Sequence, residues 1–226
     1  MVELIRGLDA ARVRANLQQV REQIDATAAG SASNRGQRGG VEVLAAVKYV
    51  PTEELTALHK AGIRLVGENR ARDLQQKAAA HPGLFEWHFI GQLQSRRVKT
   101  IVPHVRLIHS VASESALREL DRHRELAAPG MEILLEVNVA GEQGKAGIAP
   151  EEIDRYIDAS LFPVAGLMTM PPLASDPEHS RRWFASLRGL ADERGLPHLS
   201  MGTSQDHLVA VQEGATFVRI GTRLYD

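Results

Sequence analysis

The sequence predicts an α/β fold, a (β/α)8 TIM barrel, as a single domain over residues 1–226. Eight short apolar runs alternate along the chain with segments of helical periodicity. Strict alternation of this kind requires parallel strands joined by right-handed helical crossovers. Eight strands favour closure into a barrel over an open, doubly wound sheet, and the chain length suits one barrel of about 250 residues.

The first predicted element is an amino-terminal helix over residues 1–28. Val13, Leu17, Val20 and Ile24 recur at steps of four and three, which places them on one helix face. Residues 30–40, GSASNRGQRGG, then predict a flexible connector, because their apolar surface is too small to offset the entropy cost of ordering.

The eight predicted strands follow in order as VEVLAAV, IRLVG, EWHFIG, VRLIHS, EILLEVNV, PVAGLMTM, PHLSM and TFVRIG. Thr52, Ser113 and Asp176 mark helix starts between them, because each precedes a glutamate or a proline. The sequence ends at Asp226, directly after the eighth strand. We therefore expect the amino-terminal helix to cover the place of an eighth outer helix.

Composition excludes several classes of function. Lysine and arginine number 27 against 28 acidic residues, so no overall field favours nucleic acid or an anionic membrane. The absence of cysteine excludes disulfides and thiolate chemistry, and the nine histidines show no metal-binding spacing. No segment resembles a signal peptide or the about 20 apolar residues of a membrane span. We expect a cytoplasmic protein without a metal site.

Lys48 is the strongest functional candidate, since it ends the run VEVLAAV where a strand should stop and a loop begin. Removing an ammonium group from water is unfavourable unless the group is neutralised, paired or covalently bonded. Burial favours the neutral amine, which is the form that attacks an aldehyde. Lys48 therefore either forms a Schiff base with a carbonyl ligand or extends out of the strand end into solvent.

The loops after the seventh and eighth strands predict a phosphate site. SMGTS offers a glycine turn, hydroxyl groups and the start of a helix, and GT after the eighth strand adds another amide and hydroxyl. Barrels commonly bind phosphate at these two loops, so we expect a phosphorylated ligand there. Helix capping is the alternative.

Arg219 lies between apolar residues in TFVRIG, so its guanidinium should be buried and needs an acceptor. The acceptor is either a carboxylate from another strand or a ring nitrogen of a ligand. A permanent cation beside a pyridine nitrogen would keep that nitrogen unprotonated and weaken the ring as an electron sink. Such an arrangement favours holding a cofactor over strong carbanion chemistry.

Three other features predict structure rather than chemistry. The glutamate pairs at 53–54 and 151–152 fall in first helical turns, where carboxylates are stabilised by the helix dipole. The basic run SRRVK at 95–99 predicts a solvated face, with an anionic contact as the alternative. His88 predicts a hydrogen-bonded barrel histidine rather than a catalyst.

Eight segments, read in order, are LAAVKYVP, LVGENR, WHFIGQLQSRRVK, IHSVAS, EVNVAGEQGKAG, GLMTMPP, LSMGTSQD and VRIGT. Together they resemble the YggS/PROSC family, the pyridoxal phosphate homeostasis proteins, from about Val43 to Thr222. Each segment alone is weakly specific, whereas eight in the same order are strongly so. Val47, Thr203, Ala140 and the pair at 96–97 depart from the family pattern. These changes remove neither the lysine nor the phosphate loops.

The resemblance implies a barrel like the amino-terminal domain of alanine racemase, with pyridoxal 5'-phosphate (PLP) held as a Schiff base on Lys48. It also implies that Asn69 lies near the ring hydroxyl, Met168 close to the ring and Arg219 against the pyridine nitrogen. The residues that it places around the phosphate are Ser200, Gly202, Thr203, Ser204, Gly221 and Thr222.

The predicted function is a PLP-binding protein of intracellular vitamin B6 homeostasis, monomeric and without turnover, which hands the cofactor to PLP-dependent apoenzymes. Lys145 is a candidate second amine for that transfer. One alternative is a PLP-dependent racemase or decarboxylase, although such enzymes use a further β domain and a partner subunit. Another is a Schiff-base aldolase, which needs an acid and a base near Lys48, where the sequence places only Glu68.

Overall fold

The computed structural model describes residues 4–31 and 40–226. Its strands are β1 (Glu42–Ala46), β2 (Leu65–Glu68), β3 (Glu86–Phe89), β4 (Leu107–Val111), β5 (Glu132–Glu136), β6 (Val164–Met168), β7 (His198–Thr203) and β8 (Phe217–Ile220). All pairings are parallel, and β1 pairs with both β2 and β8, so the sheet closes into a barrel. The predicted fold class and all eight predicted strands are confirmed.

The described residues form eight α-helices: α1 (Ala10–Ala29), α2 (Leu55–Lys60), α3 (Ala71–Ala80), α4 (Val98–Ile101), α5 (Glu114–Arg122), α6 (Ile153–Ala159), α7 (Arg181–Asp192) and α8 (His207–Gln212). Helices α2 to α8 each connect two consecutive strands. Helix α1 packs against α8 and α2, and Asn16 Nδ2 donates to the carbonyls of Leu224 and Asp226. The first helix therefore takes the eighth outer position, as predicted.

Helix α1 begins later than the predicted helix over residues 1–28. Asp9 accepts a hydrogen bond of 2.7 Å from the amide of Arg12 and caps the helix, so that helical structure starts at Ala10. The four apolar residues predicted for its inner face are all buried. Most of the predicted connector, residues 32–39, lies outside the described residues.

All three predicted helix starts are confirmed, and a side chain caps two of them. Ser113 accepts from the amide of Ala116 at 3.2 Å, and Asp176 accepts from the amide of Glu178 at 3.0 Å. Helical structure also starts at Thr52, as a 3-10 turn after Pro51 that continues into α2, but no side chain caps it.

The glutamates at 53–54 serve structure, as predicted. Glu54 accepts hydrogen bonds from the amides of Gly7 and Leu8 at 2.8 and 3.0 Å, and Glu53 pairs with Arg6 at 2.9 Å. These contacts hold the residues before α1 against the loop after β1. The basic side chains of SRRVK are exposed, which confirms the solvated face.

Side chains alternate between the barrel interior and the layer under the helices. On β8, Val218 and Ile220 belong to the large core beneath the helices, whereas Phe217 belongs to a small cluster inside the barrel. That inner cluster also contains Leu107, Leu134, Ala165 and Met168. By the same alternation, the side chains of His88, His109, Ser200 and Arg219 point into the barrel, whereas their apolar neighbours in the sequence belong to the outer core.

Within the two described ranges, no helix has both the length and the apolar character needed to cross a bilayer. Nor do three or more histidine, aspartate or glutamate side chains of these ranges gather where they could hold a metal ion.

Candidate functional site

A cavity of about 510 Å³ lies at the carboxyl ends of the strands, where parallel barrels carry their reactive groups. Eight of the ten predicted site residues line it: Lys48, Asn69, Met168, Thr203, Ser204, Arg219, Gly221 and Thr222. Ser200 and Gly202 do not. A larger cavity of about 770 Å³ lies at the opposite end of the barrel, and none of the predicted site residues lines it.

Lys48 lies two residues beyond the end of β1 and is half-buried. Its Nζ is 4.7 Å from the centre of the Tyr49 ring. No described residue pairs ionically with this amine or accepts a hydrogen bond from it. A cation–π contact at a partly exposed site contributes only about 0.5–1 kcal/mol, so the amine is loosely held and accessible to a ligand carbonyl.

A buried ion pair supports the backbone beside Lys48. Lys77 Nζ lies 2.5 Å from Glu68 Oε2 and donates to the carbonyl of Val47 at 2.7 Å. The other oxygen, Oε1, accepts from the amides of the two residues that follow Glu68. The pair thus ties the ends of β1 and β2 together. Since both its oxygens are committed, Glu68 is not available to the cavity as an acid or base.

The carboxylate that lines the cavity is Glu136, at the end of β5. Burial raises the pKa of Glu136, although Arg219 and Lys145 lower it. Glu136 was not predicted as a site residue, because EILLEVNV has the pattern of a nearly continuous apolar strand. Its one signal was an acidic residue at the carboxyl end of a barrel strand.

Glu136→Gln is expected to stabilise the protein more at about pH 7 than at about pH 4. A carboxyl whose folded pKa is raised contributes stability below the pKa of the unfolded chain, and that contribution is lost as the pH rises through the folded pKa. Glutamine does not ionise, so the variant does not lose this stability as the pH rises. Urea unfolding of the variant and the wild type at both pH values measures the difference in the free energy of unfolding, and the exposed substitution Glu125→Gln is the control. A variant advantage that shrinks with rising pH would contradict the prediction.

Lys145, the predicted second amine, forms an ion pair with Glu142 in the loop after β5 and is partly exposed. Its neighbour Ala146, rather than Lys145 itself, lines the cavity. A role for Lys145 in transfer therefore stays a prediction.

Hydrogen bonds join the loops after β7 and β8. The amide of Gly221 donates to Ser204 Oγ at 3.2 Å. The amide and hydroxyl of Thr203 both donate to Asp206 Oδ1, at 2.7 and 3.1 Å. Asp206 thus closes the loop, but its side chain makes no capping hydrogen bond to α8, so the helix capping that the sequence left as an alternative is not present there. An anion bound here would meet the hydroxyls of Ser204 and Thr222.

The backbone at Gly202 requires glycine for a reason that involves no ligand. Its φ is +87°, and a Cβ would lie 2.5 Å from the Cβ of Ala210 and 3.0 Å from the Cα of His207. Glycine thus permits the close approach of β7 and α8. Ser200 is fully buried inside the barrel. A phosphate role for these two residues stays a prediction.

Arg219 is buried, with only 6% of its surface exposed, and lines the cavity. Its donors reach the hydroxyl of Ser200 at 2.5 Å, the carbonyl of Thr169 at 3.0 Å and the sulfur of Met170 at 2.9 Å. Within the described part of the chain, no carboxylate lies at ion-pair distance from it. Burial lowers the pKa of Arg219 to about 10, so the group stays charged at neutral pH.

The environment of Asn69 fits a ligand that donates a hydrogen bond. Its Oδ1 is buried, and no described group donates to it. Leaving a buried acceptor unpaired costs about 1–3 kcal/mol, which a ligand hydroxyl would recover. A Cβ at Gly91 would lie 2.0 Å from the carbonyl oxygen of Asn69, so glycine at 91 allows the backbone to pass this close.

Tyr225 also lines the cavity and was missed from the sequence. Its hydroxyl donates to the carbonyl of Ala46 at 3.1 Å, and burial raises its pKa. Other lining residues that no sequence pattern singled out are Ile5, Ile90, Met170 and Gln205. They come from segments far apart in the chain, and only the closed barrel brings them together.

Several known proteins resemble this chain in sequence and in fold. Residues 8–226 match the family model of the amino-terminal domain of alanine racemase. The pyridoxal phosphate homeostasis protein of Aquifex aeolicus is 40% identical over 207 residues, which cover 86% of this chain and 91% of that protein. The protein of the same name from Pseudomonas aeruginosa is 37% identical over 192 residues, or 82% and 84% of the two chains. PipY of Synechococcus elongatus, solved with PLP bound, has a TM-score of 0.77 and 29% identity, and the match covers 95% of this chain and 100% of PipY.

Proposed function

The chain belongs to the family of pyridoxal phosphate homeostasis proteins, which carry the alanine racemase amino-terminal fold, and from this premise we propose that it binds PLP as a Schiff base on Lys48. Its proposed role is to hold this reactive aldehyde and to release it to PLP-dependent apoenzymes, without turnover of its own. The proposed setting is the cytoplasm, and the proposed state is a monomer.

One observation carries the proposal: a single cavity contains the unpaired amine of Lys48, the buried guanidinium of Arg219 and the hydroxyls of Ser204 and Thr222. These groups match the three parts of PLP that need recognition, which are an aldehyde, a pyridine nitrogen and a phosphate. The unpartnered Oδ1 of Asn69 fits the ring hydroxyl.

Each residue has a distinct part in binding. Lys48 attacks as the neutral amine, and its two nitrogen protons leave with the carbonyl oxygen as water. Arg219 places a fixed positive charge that opposes protonation of a ring nitrogen. When bound, PLP supplies an electrophilic carbon and an electron-withdrawing ring, and an unprotonated ring withdraws electrons weakly. The cavity therefore suits retention of the cofactor better than bond cleavage next to it.

Adding PLP to the purified protein is expected to give the absorption of a protein-bound Schiff base. Borohydride reduction followed by peptide mapping should then place the modification on Lys48. A label confined to another lysine would defeat the site assignment, and a protein that gives no such absorption would defeat the proposal. Absorption that requires added PLP also separates this function from a Schiff-base aldolase, which needs no cofactor.

A second candidate function is PLP-dependent turnover of an amino acid, which the position of Glu136 favours. Burial raises the pKa of this carboxyl, and a group with a raised pKa in a cavity can exchange a proton with a ligand. The PLP-loaded protein should be assayed for racemisation and decarboxylation of free amino acids. Robust turnover that Glu136→Gln abolishes would favour this candidate over the carrier.

A further inference from the structure

Five side chains form a continuous hydrogen-bonded series through the barrel, here called the axial chain: Glu86, His88, His109, Ser200 and Arg219. Successive distances are 3.2 Å from Glu86 Oε1 to His88 Nε2 and 2.9 Å from His88 Nδ1 to His109 Nε2. They continue with 2.7 Å from His109 Nδ1 to Ser200 Oγ and 2.5 Å from Ser200 Oγ to Arg219 Nη1. The axial chain starts at the larger cavity, which Glu86 lines, and ends at the candidate site.

The axial chain crosses the barrel interior rather than following the sheet. His109 on β4 bonds Ser200 on β7, and these strands are not neighbours in the barrel. The ring of Phe217 lies edge-on to both histidines, with centroid distances of 5.5 Å. All members except Glu86 are at most 6% exposed. The links therefore lie in an environment of low polarity, where hydrogen bonds are strong and a missing partner is costly.

The donors and acceptors of the axial chain can be ordered from its carboxylate end. The carboxylate of Glu86 only accepts, so His88 must donate from Nε2. A neutral imidazole carries one N–H, which leaves His88 Nδ1 as the acceptor for Nε2–H of His109. By the same reasoning, His109 Nδ1 accepts from the hydroxyl of Ser200, whose oxygen accepts from Arg219. Every inner member thus accepts one hydrogen bond and donates one, all in the same direction.

The charges agree with this order. The hydrogen bond from His88 lowers the pKa of Glu86 and favours its carboxylate. Burial lowers the pKa of His88 and holds the pKa of His109 well below its ordinary value, so both rings are neutral at neutral pH. Although His88 and Glu86 lie at ion-pair distance, their contact is therefore a hydrogen bond from a neutral ring. The axial chain has a positive end at Arg219, a negative end at Glu86 and no charge between them.

We propose that Ser200, His109 and His88 are positioning residues, which fix the orientation of Arg219 in the cavity and link its charge to the carboxylate of Glu86 at the opposite end of the barrel. The proposal rests on the proposed function for the identity of the ligand. Arg219 retains Nε–H and one hydrogen on Nη1 that donate to no described group. The axial chain therefore decides where those remaining donors point.

Histidine nitrogen chemical shifts test the order of donors without any ligand. At pH 7, ¹⁵N NMR of the protein should show neutral rings with the proton on Nε2 for both His88 and His109, the signals being assigned with His88→Asn and His109→Asn variants. A proton on Nδ1 of either ring, or an imidazolium, would overturn the direction of the axial chain.

Matched variants test the positioning role. His109→Asn can still meet Ser200 but is too short to reach His88, whereas His198→Asn changes an inward-facing histidine of β7 outside the axial chain. We expect His109→Asn to weaken PLP binding about tenfold and to shift the pH midpoint of the bound cofactor's absorption. His198→Asn should leave both within about twofold. Equal effects of the two variants would refute the proposal.

Two further variants keep the test decisive. If His109→Asn does not fold, Ser200→Ala breaks the axial chain one link away, and Ser200→Thr should restore the hydroxyl and recover at least part of the affinity. Glu86→Gln changes the negative end, where the side chain is 57% exposed, and should move the same absorption midpoint. If the wild type fails to bind PLP, the proposed function is refuted instead. The NMR experiment needs no ligand, so it would still decide the direction of the hydrogen bonds in the axial chain.

Discussion

Lys77→Met is expected to lower the free energy of unfolding by about 3–5 kcal/mol, because it leaves the buried carboxylate of Glu68 without its cation. The side chain of Glu68 is 0% exposed and that of Lys77 only 5% exposed, so water cannot replace the lost partner. The variant also removes the hydrogen bond to the carbonyl of Val47. PLP binding should therefore weaken together with stability, since Val47 directly precedes Lys48.

Urea unfolding measures this loss, and two companions define its cause. Lys60→Met removes an exposed lysine and should change stability by no more than about 0.5 kcal/mol. Adding Glu68→Gln to Lys77→Met removes the stranded charge, so the double variant should be more stable than Lys77→Met alone. If Lys77→Met alone does not fold, the unfolding of the double variant can still be measured. A double variant that loses the sum of both single effects would contradict a buried ion pair.

Lys48→Ala is expected to abolish the Schiff base and most of the stabilisation that PLP gives to the protein. A ligand that binds only the folded state at about 100 times its Kd stabilises by about 2.7 kcal/mol, which corresponds to about 5–10 °C in Tm for a chain of this size. Without the amine, only non-covalent contacts with the ring and phosphate remain. Thermal unfolding with and without PLP measures the difference.

The matched controls for Lys48→Ala are Lys48→Arg and Lys145→Arg. Lys48→Arg keeps the positive charge but cannot form a stable Schiff base at neutral pH, so it should behave like the alanine variant. Lys145→Arg changes the other candidate amine and should keep both the absorption and the full thermal shift. The reverse pattern would move the covalent site from Lys48 to Lys145.

The buried charges of Lys77 and Arg219 are stabilised in two different ways. Lys77 meets its carboxylate directly at 2.5 Å, which fixes the backbone beneath Lys48. Arg219 meets hydroxyl, carbonyl and sulfur acceptors instead, and the nearest carboxylate that it reaches by hydrogen bonds is four links away. An arginine without a direct counterion keeps more of its charge for a ligand than one in a tight ion pair.

Local patterns in the sequence determined the elements of the fold. Apolar runs bounded by turns predicted all eight strands, and the spacing of Val13, Leu17, Val20 and Ile24 predicted the buried face of α1, because both patterns are set by backbone periodicity. The carboxyl ends of the strands then led to Lys48 and Arg219. Capping was less predictable, as Thr52 shows, since a cap depends on the path by which the chain enters the helix.

Only the tertiary structure decided which polar groups meet. Glu136 and Tyr225 line the cavity, Glu68 pairs with Lys77 instead, and Ser200 belongs to the axial chain. The residues next to them in the sequence do not indicate any of these contacts. The physical reason is that hydrogen bonds across a closed barrel join strands about 20 to 90 residues apart, and their pairing depends on register and on inward or outward facing. The sequence by itself therefore determined the barrel and the position of Lys48 just beyond its first strand, and closure of the sheet determined which groups surround that lysine.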